Sequence, residues 1–269
     1  MQISAFTRDD ITPFLAMAGG EGWLCEAWEF EFLLRVFPSG CFVVRSEGRP
    51  VAFVTSVAYG SSGWVGNLLV AEDWRRRGLG ARLMEMAIGA LVDGGVTTVW
   101  LTASPSGRPI YERVGFVEVD QVNRWIGHGR GSSTQLPEMA TTANVNELDR
   151  SGWGDGRAPL LDELLGRGRL IGSGHGFALL QPWESGWQIG PWSCQEPDEA
   201  PLLLDMALLA VQRGQRIWLD VPVRNIRAAA LLNSRSFTIA GATSLMYMGR
   251  RPDYRAEWIF ALASMGSMG

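Results

Sequence analysis

Arg75, Arg76, Arg77, Gly78, Leu79, Gly80 and Ala81 form a basic, glycine-bearing stretch whose spacing suits the capture of an anion. Gly78 and Gly80 have no side chains, so a ligand can come close to the backbone there. The first N–H groups of a helix lack intrahelical partners and point out of its start, where the helix dipole is positive. Three arginines beside such a start make a site fit for a pyrophosphate. The Gly-Lys-Ser/Thr ending of a nucleotide P-loop is missing.

The elements that must position this stretch are legible on both sides. Val65, Leu68, Leu69 and Val70 form a short β-prone apolar run. Leu79, Leu83, Met86, Ala87, Ala90 and Leu91 recur at helical spacing, and Gly94-Gly95 stops them. Residues 64–92 therefore read as strand, basic turn and helix.

Arg75-x-x-Gly78-x-Gly80 resembles the (Arg/Gln)-x-x-Gly-x-(Gly/Ala) motif of the GNAT N-acetyltransferases, and Tyr111-Glu112-Arg113-Val114-Gly115-Phe116 resembles that family's Tyr-Glu-x-x-Gly-Phe block. The resemblance implies an acyltransferase that uses acetyl-coenzyme A and no metal. It implies that the pyrophosphate is held by Arg75, Arg76, Arg77, Gly78, Leu79, Gly80 and Ala81. It implies pantetheine contacts at Asn67, Leu68, Leu69, Val70 and Ser104, with the oxyanion facing an N–H at Leu69 or Val70. Tyr111 is then the general acid for the leaving thiolate. Many members have Asn where this chain has Ser104, and Ala where it has Gly107, so the chain departs from the family's pattern there. In the family a helix–loop–helix lies over the acceptor, so Glu21, Trp23, Glu26, Glu29 and Glu31 become acceptor-side candidates. The base is open between Glu21, Glu29 and a water chain.

Composition limits the alternatives. The chain has 269 residues, 46% of them hydrophobic and 19% charged, enough for a core and fitting two domains. A net charge of −4 argues against a nucleic-acid binder and makes the arginine tract local. Cys25, Cys41 and Cys194 show no metal spacing and read as free thiols of a reducing cytoplasm. His128 and His175 are isolated. Twelve tryptophans are scattered along the chain. No stretch reads as a signal peptide or a membrane span.

The remaining chain can be taken in order. A strand near Ile3, helices from Ile11 and Trp28, and a hairpin of residues 41–44 and 50–57 precede the Trp64 strand. A β-branched strand at 96–103, the Tyr111 helix, and two strands at 116–119 and 122–126 follow it. Gly129 to Gln135 is the best linker. Beyond it the order recurs: a helix at Leu160, a hairpin at 176–180 and 186–190, a helix at Leu202, a strand at 216–221, and a 225–237 block that parallels 104–116. The copy has Gln195-Glu196-Pro197-Asp198-Glu199-Ala200-Pro201 in place of the basic turn, Leu232 in place of Tyr111 and Ser236 in place of Gly115, yet keeps Asn225.

The expectation is thus an α/β (α+β) chain of tandem GNAT folds, each a central mixed, mostly antiparallel sheet flanked by helices. Residues 1–129 are the catalytic domain, 130–137 a linker, and 138–269 a degenerate copy. The function implied is acetyl transfer to a primary amine of a small molecule or peptide. A non-catalytic coenzyme A sensor or interaction module is the alternative. No nucleic-acid or membrane partner is expected, and a homodimer is left open.

Overall fold

The computed structural model describes residues 1–131 and 144–269. The first half runs β1 (Gln2–Ala5), α1 (Ile11–Gly20), α2 (Ala27–Val36), β2 (Phe42–Ser46), β3 (Arg49–Tyr59), β4 (Ser62–Val70), α3 (Leu79–Asp93), β5 (Thr98–Ala103), α4 (Arg108–Arg113) and β6 (Val117–His128). The second runs α5 (Val145–Trp153), α6 (Ala158–Arg167), β7 (Arg169–Gly172), β8 (Gly176–Trp183), β9 (Gly186–Cys194), α7 (Ala200–Ala210), β10 (Arg216–Pro222), α8 (Ile226–Ser234), β11 (Thr238–Gly249) and β12 (Ile259–Ala261). From α1 to β6 and from α5 to β11 the order of elements is the same, so the recurrence read from the sequence is present in the fold.

The halves share one mixed, mostly antiparallel sheet in the order β1-β2-β3-β4-β5-β11-β6-β10-β9-β8-β7, with β12 off the edge of β9. Its centre is a strand exchange. β11 of the second half pairs antiparallel with β5, Ser244 facing Ala103 and Gly249 facing Thr98. β6 of the first half pairs antiparallel with β10, Arg216 facing His128 and Pro222 facing Val122. β6 and β11 then pair with each other. The two strands expected at 116–119 and 122–126 are one, because Asp120 between them is not at a turn. Its carboxylate accepts from the N–H groups of Gln121 and Arg224 and from the Tyr254 hydroxyl, which makes a polar residue tolerable inside the strand.

Helices cover both faces, so β3 reads as an almost continuous apolar run with Val51, Ala52, Phe53, Val54 and Val57 buried. Tryptophans far apart in sequence meet at the junction of the halves. Trp153 lies 5.5 Å from Trp100 and 6.1 Å from Trp64, both edge-on, and Tyr254 closes the group at 5.8 Å from Trp153. Of the expected linker, Arg130 and Gly131 are tied to the second half: the Arg130 N–H donates to the Leu208 carbonyl and the Gly131 N–H to that of Val211. The rest of it lies outside the described residues.

Two places in the sheet position a site. β4 and β5 run parallel but pair only from Ser62–Trp64 against residues 98–100, so beyond Trp64 they splay. β9 and β10 repeat this, pairing only at Trp187 and Gln188. The second splay is filled by the chain itself. β12 pairs with β9, and the Leu262 N–H donates to the Asp220 carbonyl of β10 at 2.8 Å. Asn225 caps α8 through the Ala228 N–H and donates from Nδ2 to the Ile259 carbonyl of β12. Residues 263–269 continue into the first half.

Candidate functional site

The first splay opens into a cleft of about 710 Å³, the size of a small-molecule site. At one end is the basic turn. Gly78 caps α3 with φ +80, a conformation that glycine adopts freely. α3 has no side-chain cap and no acid in its first turn, so its positive end is uncompensated. A Cβ on Gly80 would meet nothing nearer than Leu68 Cδ2 at 3.8 Å, and one on Gly78 would meet nothing within 4 Å. The chain's own packing therefore does not exclude side chains at these positions. The glycine turn, the amide donors and the cations together fit a pyrophosphate.

The arginines separate. Arg75 donates from Nε to the Val70 carbonyl at 3.0 Å and pairs with Glu21. Arg76 lines the cleft in a left-handed conformation, φ +62. Arg77 does not line it, and its guanidinium stands 4.7 Å from the Trp74 ring.

In the middle lies β4. Opposite β3, Phe53 faces Leu69 and Thr55 faces Gly66, so Asn67 and Leu68 together oppose one residue. This bulge puts Asn67 at φ +56, and its buried amide donates to Thr55 Oγ1 at 2.9 Å and Ser267 Oγ at 3.0 Å. Asn67, Leu68, Leu69 and Val70 all line the cleft, as do Leu79, Ala81 and Ser104. The Ser104 hydroxyl accepts from the Gly107 N–H at 3.2 Å, shaping the turn into α4. On α4, Tyr111 lines the same wall, and burial pushes its hydroxyl up to about 12. It therefore keeps its proton at neutral pH.

At the far end Glu29 is nearly inaccessible yet borders the cleft. It is the third residue of α2 and accepts the Glu26 N–H at 2.9 Å in a reciprocal capping box. Burial raises its carboxyl to about 7, held from going higher by the Glu26 N–H and the Ser267 hydroxyl. Thr55, Asn67, Ser267 and Glu29 are thus linked in one hydrogen-bond chain. Glu21 is tied to Arg75, and Trp23 borders the cleft while 40% exposed.

Sequence reasoning missed the residues brought in by the exchange and the tail. Arg124 of β6 sits opposite Asp220 of β10 and grips its carboxylate with two 2.8 Å bonds. Trp183, Gln188 and Trp218 of the second half line the same end, with Cys25 of the first and residues 264–267. No local signal marks them, since strand pairing across halves decides their place. Gly266 comes so near β4 that a Cβ on Gly66 would lie 2.5 Å from its carbonyl oxygen.

At the start of α7, the copy of the basic turn, Glu199 is engaged with His175 at 2.9 Å, which lowers the carboxyl and raises the imidazole in pKa. Among the described residues no cluster of His, Cys, Asp and Glu could hold a metal, and no helix is long and apolar enough to cross a membrane.

Comparison with known proteins agrees with this architecture. The Acetyltransferase (GNAT) family profile matches residues 11–116, and the Acetyltransferase (GNAT) domain profile matches 145–261. The holothin acyltransferase of Pseudoalteromonas sp. (strain SANK 73390) is 26% identical over 258 residues, 91% of this chain and 87% of its own. The uncharacterised N-acetyltransferase YitH of Bacillus subtilis (strain 168) is 21% identical over 96% of this chain and 95% of its own. The crystal structure of a candidate acetyltransferase from Pyrococcus horikoshii superposes with a TM-score of 0.85 at 23% identity, covering 100% of this chain and 95% of its own. A tandem GNAT protein from the clavulanic acid biosynthesis pathway gives 0.59 at 15% identity, covering 93% and 99%. With one acetyltransferase domain in each half, the chain belongs to the GNAT acyltransferases.

Proposed function

We propose that the chain transfers an acetyl group from acetyl-coenzyme A to a primary amine at a single site, held by residues 1–129 and completed by the degenerate domain of residues 138–269. The observation that carries this reading is one shared cleft, lined by the buried Glu29 carboxyl, the Tyr111 phenol and the glycine turn at the start of α3. A base near the working pH is what deprotonating an attacking amine requires.

Arg75, Arg76 and the amides of Gly78 to Ala81 hold the pyrophosphate, and this remote binding fixes the reacting carbon. Acetyl-coenzyme A supplies an activated acyl carbon, whose bond to sulfur breaks as the bond to the amine nitrogen forms. Glu29 takes the proton from that nitrogen. An N–H at Leu69 or Val70, beside the bulge, receives the charge on the carbonyl oxygen. Tyr111 gives its proton to the departing sulfur, and both groups recover through solvent.

A single site is supported by the state of the second half. β12 fills the splay that corresponds to the open one of the first half, Asn225 is spent on β12, Glu199 occupies the helix start, and Leu232 replaces the phenol.

The test is thiol release from acetyl-coenzyme A with a panel of amines, together with calorimetric titration of the coenzyme. We expect thiol release with at least one amine class, and one coenzyme bound per chain. Two sites, or no release with any amine, would sink the reading.

A further inference from the structure

The acceptor end of the cleft has an uncommon make-up. Trp183 and Trp218 stand 6.0 Å apart at 66°, forming a corner with one ring face and one ring edge. Trp28 packs edge-on to Trp183 at 6.3 Å, and Arg167 covers the Trp28 ring at 4.4 Å. Trp183 and Trp218 line the cleft, and Trp28 is not among its lining residues.

Formal charge at this end is balanced. Arg124 is neutralised by the buried Asp220 facing it. Burial raises the Cys25 thiol, so it stays protonated. Of the two carboxyl side chains lining the cleft, Glu21 is paired with Arg75, which leaves Glu29. Spermidine or a lysine-rich peptide would find no further carboxylates for its other ammonium groups. A free amino acid would not find Arg124 open to its carboxylate, since Arg124 already serves Asp220.

We propose that the acceptor is a planar aromatic or heteroaromatic primary amine carrying no further charged group, whose ring packs against the Trp183–Trp218 pair. This rests on the acetyl-transfer reading above and names the acceptor for that site. The second half then supplies the ring-binding wall, while the first half supplies Glu29 and holds the acyl carbon. An amine attached to an aromatic ring is already neutral near pH 7. Glu29 then has only to remove the proton released as the N–C bond forms, which a base at about 7 can do.

The test pairs 4-aminobenzamide with its saturated counterpart 4-aminocyclohexanecarboxamide, with spermidine and free lysine alongside. Initial rates of thiol release and calorimetric binding to the coenzyme A complex are both measured. Stacking and edge-on aromatic contacts predict a preference of about tenfold or more for the aromatic amine in kcat/KM and in affinity. Trp183→Leu should remove the preference by raising the KM for the amine, with the KM for acetyl-coenzyme A unchanged. Trp183→Phe should restore part of it, and Trp218→Leu, checked for folding by circular dichroism, should act as Trp183→Leu does. Equal or better use of the saturated amine, spermidine or lysine would overturn the proposal, as would a Trp183→Leu enzyme with an unaltered preference. If no amine released thiol, aromatic binding that depends on Trp183 would uphold the ring site and sink only the transfer reading. Absence of such binding would overturn the ring site as well.

Discussion

Setting the Glu29 carboxyl beside Cys25 and Arg124 and beneath Ser267 removes water from its charged form and lifts its pKa from 4.5 to about 7. The sign of the consequence for stability follows. The native state binds this proton more tightly than the unfolded chain does, so the stabilising contribution is complete below about pH 4.5 and is lost as pH rises through about 7. Glu29→Gln should therefore flatten the stability curve between pH 5 and 8, visible as a smaller fall in melting temperature across that range. For activity the ionised form is needed, so kcat/KM should climb with a limb near pH 7 that Glu29→Gln abolishes. Ser267→Ala, which removes a bond to the charged form, should move that limb to higher pH in a folded enzyme. A limb unmoved by Ser267→Ala would mean the hydroxyl does not govern this carboxyl. Tyr111, pushed to about 12 by burial, stays a donor throughout this range. Tyr111→Phe should lower kcat with coenzyme affinity intact, checked by stopped thiol assays beside calorimetry.

At the scale of elements, the turn into α3 carries its information locally. Arg75, Gly78 and Gly80 lie within one turn of a helix whose apolar period announces it, so sequence reading could find them. Gly80→Ala makes the local physics measurable. Its Cβ has ordinary room inside the protein, 3.8 Å from Leu68. Alanine in the first turn of a helix stabilises relative to glycine by up to ~1 kcal/mol. Melting temperature should hold or rise with coenzyme affinity kept, since the motif admits alanine at this position, whereas Gly80→Trp should lose coenzyme affinity by filling the ligand's approach; unchanged affinity of Gly80→Trp by calorimetry would remove the cradle from the site. By contrast, the bulge at Asn67 had only a weak local sign, a glycine and an asparagine inside a strand run, and its register is decided by pairing with β3. β12 escaped for a related reason. Three residues have no period, and what makes them a strand is the open flank of β9 that they fill.

For the whole molecule, sequence recurrence made two similar halves legible but not their exchange of final strands. The strands of 117–128 and 238–249 have equivalent places in the two copies, so sequence pattern alone cannot say which partner each takes. The exchange has consequences for cooperativity. Without β11, β5 would lose its neighbour and expose a row of unpaired backbone groups. Without β6, β10 would lose its own, and Asp220 would stay buried without Arg124. The Trp64, Trp100, Trp153 and Tyr254 group likewise needs both halves. Residues 259–269 bind the halves again, running from the second splay to Ser267 beside Asn67 and to Met268, whose carbonyl accepts the Tyr59 hydroxyl at 3.1 Å. Neither half then has a complete core or closed sheet, and unfolding one should unfold the other. Scanning calorimetry should record a single transition, with calorimetric and van't Hoff enthalpies equal. Trp153→Ala should lower its midpoint through a loss of about 3–5 kcal/mol and leave it single. A fragment of residues 1–131, although it holds the basic turn, Glu29 and Tyr111, should neither fold nor bind coenzyme. Two separate transitions, or a folded fragment that binds coenzyme as the full chain does, would show that the exchanged strands add no cooperative coupling.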